Sequence, residues 1–195
     1  LHSSPLGGTV HAATGCSHSI SSGRLSYTLG AQGPCLTIDT ACSAALAASH
    51  VAATALGRLE CSPALAFGAN MVLTPLTSSR FATAGMTSPR GRCHTFDRGA
   101  DGYARSEASC GILLDLNAPG STRVLLTSSS VKQDGRSASL TAPNGQAQRD
   151  LIVGTRSRED ESAGSPPFHE AHGTGTALGD PVEVGALAAA ALAEE

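Results

Sequence analysis

The sequence predicts an α/β fold built in tight layers. Two observations carry that prediction. Short β-rich runs alternate with helical stretches along the chain. The composition is heavy in small residues, with 22 Gly and abundant Ala and Ser. Small side chains let backbones approach closely, which suits helices buried against a sheet. They fill a large independent core poorly, so either the helices pack very closely or part of the core lies elsewhere. No internal repeat of solenoid length is visible.

Residues 23–34 read as a short helix stopped by Gly30, Gly33 and Pro34. Residues 35–39 form a short β-rich run, and Thr40-Ala41-Cys42-Ser43 is a tight junction. From Ser43 to about Leu59, Ala and Leu occupy every face, which predicts a helix buried nearly all round. Residues 64–73 (ALAFGANMVL) predict a buried strand in which Gly68 permits close backbone approach. Residues 85–107 are polar and loop-like, and residues 111–116 (GILLDL) predict a third strand. Asn117-Ala118-Pro119-Gly120 is the best internal boundary signal. Residues 123–127 (RVLLT) open a further strand, residues 133–145 form a loop, and a weak helix follows at about 146–158. Residues 160–167 are linker-like. The last helix begins near Pro181, a residue suited to a first helical turn.

Composition excludes several function classes. With 13 Lys+Arg against 16 Asp+Glu, the net charge is −3, which argues against a nucleic-acid groove binder. Aromatics make up 3% and Trp is absent, so base stacking has few platforms. No apolar run approaches the ~20 residues a membrane helix needs. The six cysteines (16, 35, 42, 61, 93 and 110) include no CxxC pair, and the stretch from Leu1, with no charged n-region and no apolar h-region, does not read as a signal peptide. The reading is a reducing, cytoplasmic compartment with thiols as small hydrophobes. The chain begins at Leu1 without Met and stops at Glu195 within an Ala-rich stretch, so it is expected to be a segment of something longer.

Cys42 is the strongest candidate for chemistry. It lies at a strand-to-helix junction, where the macrodipole and free backbone N–H groups favour a thiolate. Those N–H groups also suit an oxyanion on a bound thioester. The alternative is a buried Cys that fills space. His172 is the second candidate, in Glu170-Ala171-His172-Gly173-Thr174-Gly175-Thr176, where alternating Gly leaves the imidazole open to substrate; the alternative is a surface His near a turn. Thr174 and Thr176 offer hydroxyls either to an amide-rich substrate arm or to the local backbone. Gly173, Gly175 and Gly179 miss the GxGxxG spacing, and His169-Glu170-Ala171-His172 is not HExxH, so no phosphate loop or metal site is expected. Asp97, Asp101 and Glu107 interleave with Arg98 and Arg105 and read as a structural ion-pair loop.

These residues resemble a known family. Gly33-Pro34-Cys35-Leu36-Thr37-Ile38-Asp39-Thr40-Ala41-Cys42-Ser43 is similar to the active-site signature of β-ketoacyl synthase domains, above all those of modular polyketide synthases and animal-type fatty acid synthase. Four further stretches agree in order: Gly23-Arg24-Leu25-Ser26-Tyr27, Phe96-Asp97 through Asp101-Gly102-Tyr103, Leu140-Thr141-Ala142-Pro143-Asn144-Gly145, and Glu170 to Thr176 with Gly179-Asp180-Pro181. Together they span nearly the whole chain.

The resemblance implies a thiolase-like layered αβαβα fold, here an incomplete fragment. Residues 1–118 would be part of the N-terminal half with the nucleophile, and residues 119–195 the start of the C-terminal half. It implies that Cys42 takes an acyl chain from a carrier-protein thioester. His172 would be one of two histidines supporting decarboxylation of a malonyl-type extender. Thr174 and Thr176 would contact the phosphopantetheine arm. No cofactor or metal would be bound by the domain itself; acyl carrier protein would be the partner, and the intact domain a homodimer. The family's second histidine and a Lys lie downstream of the HGTGT motif, and nothing corresponding precedes Glu195. Residues 105–111 replace family glycines with larger residues and run one residue longer. Residues 153–167 lack a clean amphipathic helix, and Pro166-Pro167 stand where a strand is expected. A fatty acid synthase condensing domain and a non-elongating, acyl-binding or dimerising domain are the alternatives, and the isolated fragment is expected to be inactive.

Overall fold

The structure, a computed structural model, describes residues 10–117, 124–158 and 168–194. Its α-carbon contacts divide it into two compact units. One holds Leu1–Gly68 and Ser109–Ser121, the other Ala69–Ala108 and Thr122–Glu195.

The first unit begins with two helices, α1 (Ala12–Cys16) and α2 (His18–Leu29). Helix α2 starts five residues earlier than the sequence predicts and stops where expected. Gly30 adopts φ +68, and Ala31 N–H donates to Ser26 O at 2.9 Å, closing the last turn in the left-handed conformation glycine favours. A 3-10 turn (Ala41–Ser43) leads into α3 (Ala44–Gly57), whose Ala-rich sequence has high helix propensity. Strands β1 (Ala64–Asn70) and β2 (Ala108–Leu114) pair in a two-stranded sheet. Ser62 meets Asp115 at one end, and Asn70 reaches Ser106 O at the other, so the strands run antiparallel. A Cβ at Gly68 would lie 3.0 Å from the Ala45 Cβ, which is the close helix–strand approach expected of that glycine.

Two expectations for this unit are corrected. Helix α3 is not buried all round: Ala47, Ala55 and Leu56 are buried, but Leu46 is 75% exposed. Ala48, Val51 and Ala52 are half-buried. Residues 35–39 are extended but belong to no strand, because no neighbouring strand supplies a hydrogen-bonding ladder among the described residues.

The second unit contains α4 (Pro75–Thr83), the 85–107 loop, α5 (Gly145–Arg156) and α6 (Gly179–Ala191), followed by a 3-10 turn (Leu192–Glu194). The sequence reading missed α4, although Thr74 at the N-cap and Pro75 in the first turn are its start signal. Asn144 caps α5, its side-chain oxygen accepting from Ala147 N–H at 3.3 Å. Helix α5 packs on α6, with Gly145 approaching Val182. Ala186 and Ala190 of α6 are buried.

The strand expected at 123–127 is also corrected. Residues 124–127 lie in no strand, and Leu125 is 80% exposed. Nearby chain is tied instead to α5, through Ser128 Oγ donating to Thr155 O and Lys132 Nζ donating to Asp150 O. The linker-like 160–167 segment, Pro166-Pro167 included, and the boundary signal beyond Asn117 lie outside the described residues.

The 85–107 loop is held by specific bonds, but its charge pairing differs from the sequence reading. Asp101 pairs with Arg90 at 2.8 Å, not with Arg98 or Arg105. Asp97 accepts from Gly99 N–H and Glu107 from Val72 N–H, so both carboxylates serve backbone donors. Arg105 donates to Ser78 Oγ and lies 4.9 Å over the Phe81 ring, a cation–π contact.

Candidate active site

Cys42 is the middle residue of the 3-10 turn that opens α3, and its thiol is exposed. The residue before it, Ala41, has φ +55, a left-handed conformation that costs a non-glycine residue about 1–2 kcal/mol. Neighbouring side chains hold that bend. Asp39 Oδ1 accepts from Ala41 N–H at 3.1 Å, and Ser43 Oγ donates to Thr40 O at 2.9 Å. The strained elbow presents the thiol at the start of a 14-residue helix, where backbone donors have no intrahelical acceptors. This position suits a nucleophile that attacks a carbonyl and leaves an oxyanion near N–H groups. Cys42 is exposed among the described residues, as are Cys35, Cys93 and Cys110, so its place on the elbow rather than its exposure sets it apart.

His172, Thr174 and Thr176 share one loop of the second unit; Cys42 belongs to the first. The His172 side chain is exposed, and its backbone N–H donates to Glu183 Oε1 at 2.5 Å. Gly173 N–H donates to the other oxygen of the same carboxylate at 2.9 Å. Asp180, 4% exposed, accepts from Gly175 N–H at 3.0 Å and Thr176 N–H at 3.3 Å. Its second oxygen accepts from Phe96 N–H at 2.7 Å. Phe96 is itself left-handed, with φ +58, so this bond helps hold a strained residue.

The loop is also clasped by residues 94–103. Thr95 Oγ1 donates to Gly173 O at 2.6 Å, and Gly102 N–H donates to Gly175 O at 2.9 Å. Gly173 and Gly175 have φ of +56 and +71, and a Cβ on either would meet Thr95 Cγ2 at 2.5 Å or His94 N at 3.0 Å. Glycine is required at both positions by conformation and by space. The Thr174 and Thr176 hydroxyls lie 3.1 Å apart, and Thr176 Oγ1 accepts from Gly179 N–H at 3.1 Å. Both hydroxyls therefore stabilise the turn, and each keeps either its proton or a lone pair for a further partner. A cleft of about 420 Å³ opens beside Thr176, walled by Phe96, Pro181 and Val184 with Arg98 at its lining. Among the described residues, no cluster of three or more His, Cys, Asp or Glu has the arrangement to hold a metal ion.

The chain matches the model of the beta-ketoacyl synthase N-terminal domain over residues 3–118 and that of the C-terminal domain over residues 124–195. The chain belongs to the beta-ketoacyl synthase family. Among relatives of this ketosynthase segment, a phenolphthiocerol/phthiocerol polyketide synthase of Mycobacterium tuberculosis is 42% identical over 195 residues, covering 97% of this chain and 13% of that protein. Lovastatin nonaketide synthase of Monascus pilosus is 43% identical over 190 residues, covering 93% of this chain and 6% of that protein. The ketosynthase from module 6 of the bacillaene synthase of Bacillus subtilis 168 superposes with a TM-score of 0.85 at 35% identity. That match covers 93% of this chain and 33% of the solved one. The thiolase-like layered fold expected from the motifs is thus the fold of this segment's structural relatives. The chain spans about a third of that ketosynthase's length.

Glu183 is the functional-loop residue that sequence reasoning passed over, and Asp180 stood in the Gly179-Asp180-Pro181 motif without a role of its own. Their signal is the i, i+3 spacing in Asp180-Pro181-Val182-Glu183, which puts two carboxylates on one side of the first turns of a helix directly after the HGTGT loop.

Proposed function

We propose that this chain carries the nucleophile and one catalytic histidine of a larger ketosynthase domain that forms carbon–carbon bonds in polyketide biosynthesis. Residues 1–118 belong to its N-terminal half and residues 119–195 begin its C-terminal half. The observation that carries the reading is the exposed Cys42 thiol on a strained elbow at the start of α3, in a chain that also carries the ordered His172–Thr176 loop. Exposed apolar residues such as Leu46 and Leu113 (67% exposed) support the larger domain, since they require cover that this segment does not supply.

Cys42 Sγ attacks the carbonyl of a carrier-bound thioester, and the carrier thiol leaves with the proton. A malonyl-type thioester then loses CO₂, and a hydrogen bond from His172 stabilises the resulting enolate oxygen. The enolate carbon attacks the acyl-Cys42 carbonyl, the C–S bond breaks, and a β-ketoacyl thioester departs with the Cys42 thiolate regenerated. Covalent capture divides one hard condensation into two easier steps. Thr174 and Thr176 present hydroxyls to the phosphopantetheine arm that delivers both substrates on acyl carrier protein. The intact domain works as a cytoplasmic homodimer, and the 195-residue segment alone does not condense substrates.

The test uses the complete ketosynthase domain containing this segment. His172→Ala is expected to leave acylation of Cys42 intact and to slow malonyl decarboxylation by about 100-fold or more. Unchanged decarboxylation would remove His172 from the mechanism. Acylation without condensation in the unmodified domain would assign it to the non-elongating class.

A further inference from the structure

We propose that Glu183 and Asp180 are positioning residues for the condensation, gripping the backbone of the His172–Thr176 loop from the first turns of α6. The inference rests on the role of His172 proposed above and extends it to the residues that aim it.

The His172 imidazole is exposed, and no hydrogen bond to its ring is formed among the described residues. Its place is therefore set by its backbone. That backbone is gripped by one side chain: the two oxygens of Glu183 take the N–H groups of His172 and Gly173 at 2.5 and 2.9 Å. An ionised carboxylate is acceptor-only and matches two adjacent donors. Asp180 performs the same service one turn earlier, with its two oxygens taking three N–H groups, those of Gly175, Thr176 and Phe96. Both carboxylates lie at the N-terminal end of α6, where the helix dipole favours negative charge. Helix α6 is in turn fixed by packing on α5. A rigid helix thus holds the loop through four backbone bonds, with a fifth to Phe96 beside it, and the loop holds the imidazole and the two hydroxyls. Glu183 governs the His172 end and Asp180 the Thr176 end, so their loss has different kinetic consequences.

The experiment measures Cys42 acylation and malonyl-thioester decarboxylation separately in the complete ketosynthase domain. In Glu183→Gln one side-chain oxygen becomes an NH₂ donor facing a backbone donor. Decarboxylation kcat is expected to fall about 10- to 100-fold, the scale of a misplacement near 1 Å, with KM changed less than about threefold. Acylation of Cys42 stays within about twofold. Glu183→Asp, which keeps the charge on a shorter arm, loses less. Asp180→Asn raises KM for the pantetheine-borne substrate more than it lowers kcat. Because Glu183 acts through His172, Glu183→Gln in a His172→Ala background adds no further loss. Wild-type decarboxylation in Glu183→Gln, multiplying losses in the double variant, or a parallel loss of acylation in both Glu183 variants would overturn the positioning role. If His172→Ala itself decarboxylates like wild type, the reading of His172 fails instead.

Discussion

Replacing Gly173 by Ala tests how tightly the His172 loop is built. Two costs follow from the geometry. At φ +56 an L-residue is disfavoured by about 1–2 kcal/mol. The new Cβ would also lie 2.5 Å from Thr95 Cγ2, well inside the ordinary carbon separation of about 3.5–4.0 Å. Thr95 resists turning away because its hydroxyl is bonded to Gly173 O at 2.6 Å. Overpacking of this kind costs about 1–3 kcal/mol. The two costs together reach about 2–5 kcal/mol. At about 1–2 °C per kcal/mol for a domain roughly three times the length of this segment, because unfolding entropy grows with size, thermal unfolding of the complete domain should fall by at least about 2 °C. Thr95→Ser removes the offending methyl and keeps the hydroxyl. Added to Gly173→Ala, it should recover the steric part and leave only the backbone cost. The reasoning is refuted if Gly173→Ala melts like wild type, or if Thr95→Ser recovers nothing.

Other consequences are equally direct. The Ser22 hydroxyl first, and that of Ser26 second, hold the exposed Cys35 thiol below its ordinary value of 9.0. Below pH 9 the larger thiolate fraction should make Cys35 alkylate faster than it does in Ser22→Ala, with the advantage fading as pH rises above 9; equal rates in the two proteins throughout would contradict this. At Gly68, Ala would place its Cβ 3.0 Å from that of Ala45 and should destabilise the domain by about 1–3 kcal/mol, with Ala45→Gly restoring it. Absence of rescue would show that the close approach is not the cause. The isolated 195-residue chain should show no cooperative thermal transition by circular dichroism, since Leu46, Leu113 and Leu125 stay uncovered; a sharp melt would contradict it.

What could be read in the sequence divides along physical lines. Local signals worked where a residue acts on its own backbone. Gly30 ended α2, and Pro181 fell in the first turn of α6. The junction at Thr40–Ser43 was legible because a β-rich run meets an Ala-rich helix there. Non-local features were not. Residues 35–39 and 124–127 have strand-like composition, but strand formation depends on a neighbour that composition does not reveal. An all-apolar helix face predicts burial, yet Leu46 is 75% exposed, because composition does not say which faces of a helix find a neighbour. Arg90 displaced Arg98 and Arg105 as the partner of Asp101, since loop geometry rather than sequence distance selects ion pairs. The carboxylates of Asp180 and Glu183 went unassigned because their partners are backbone N–H groups, which every residue but Pro carries.

The central claim is that Cys42 is the nucleophile. Incubating the complete ketosynthase domain with an acyl thioester, followed by peptide mass spectrometry, tests it most directly. The account predicts one acyl adduct, on the peptide containing Cys42, absent from Cys42→Ala. An adduct on Cys35 or another cysteine that persists in Cys42→Ala, or no adduct at all, would contradict it.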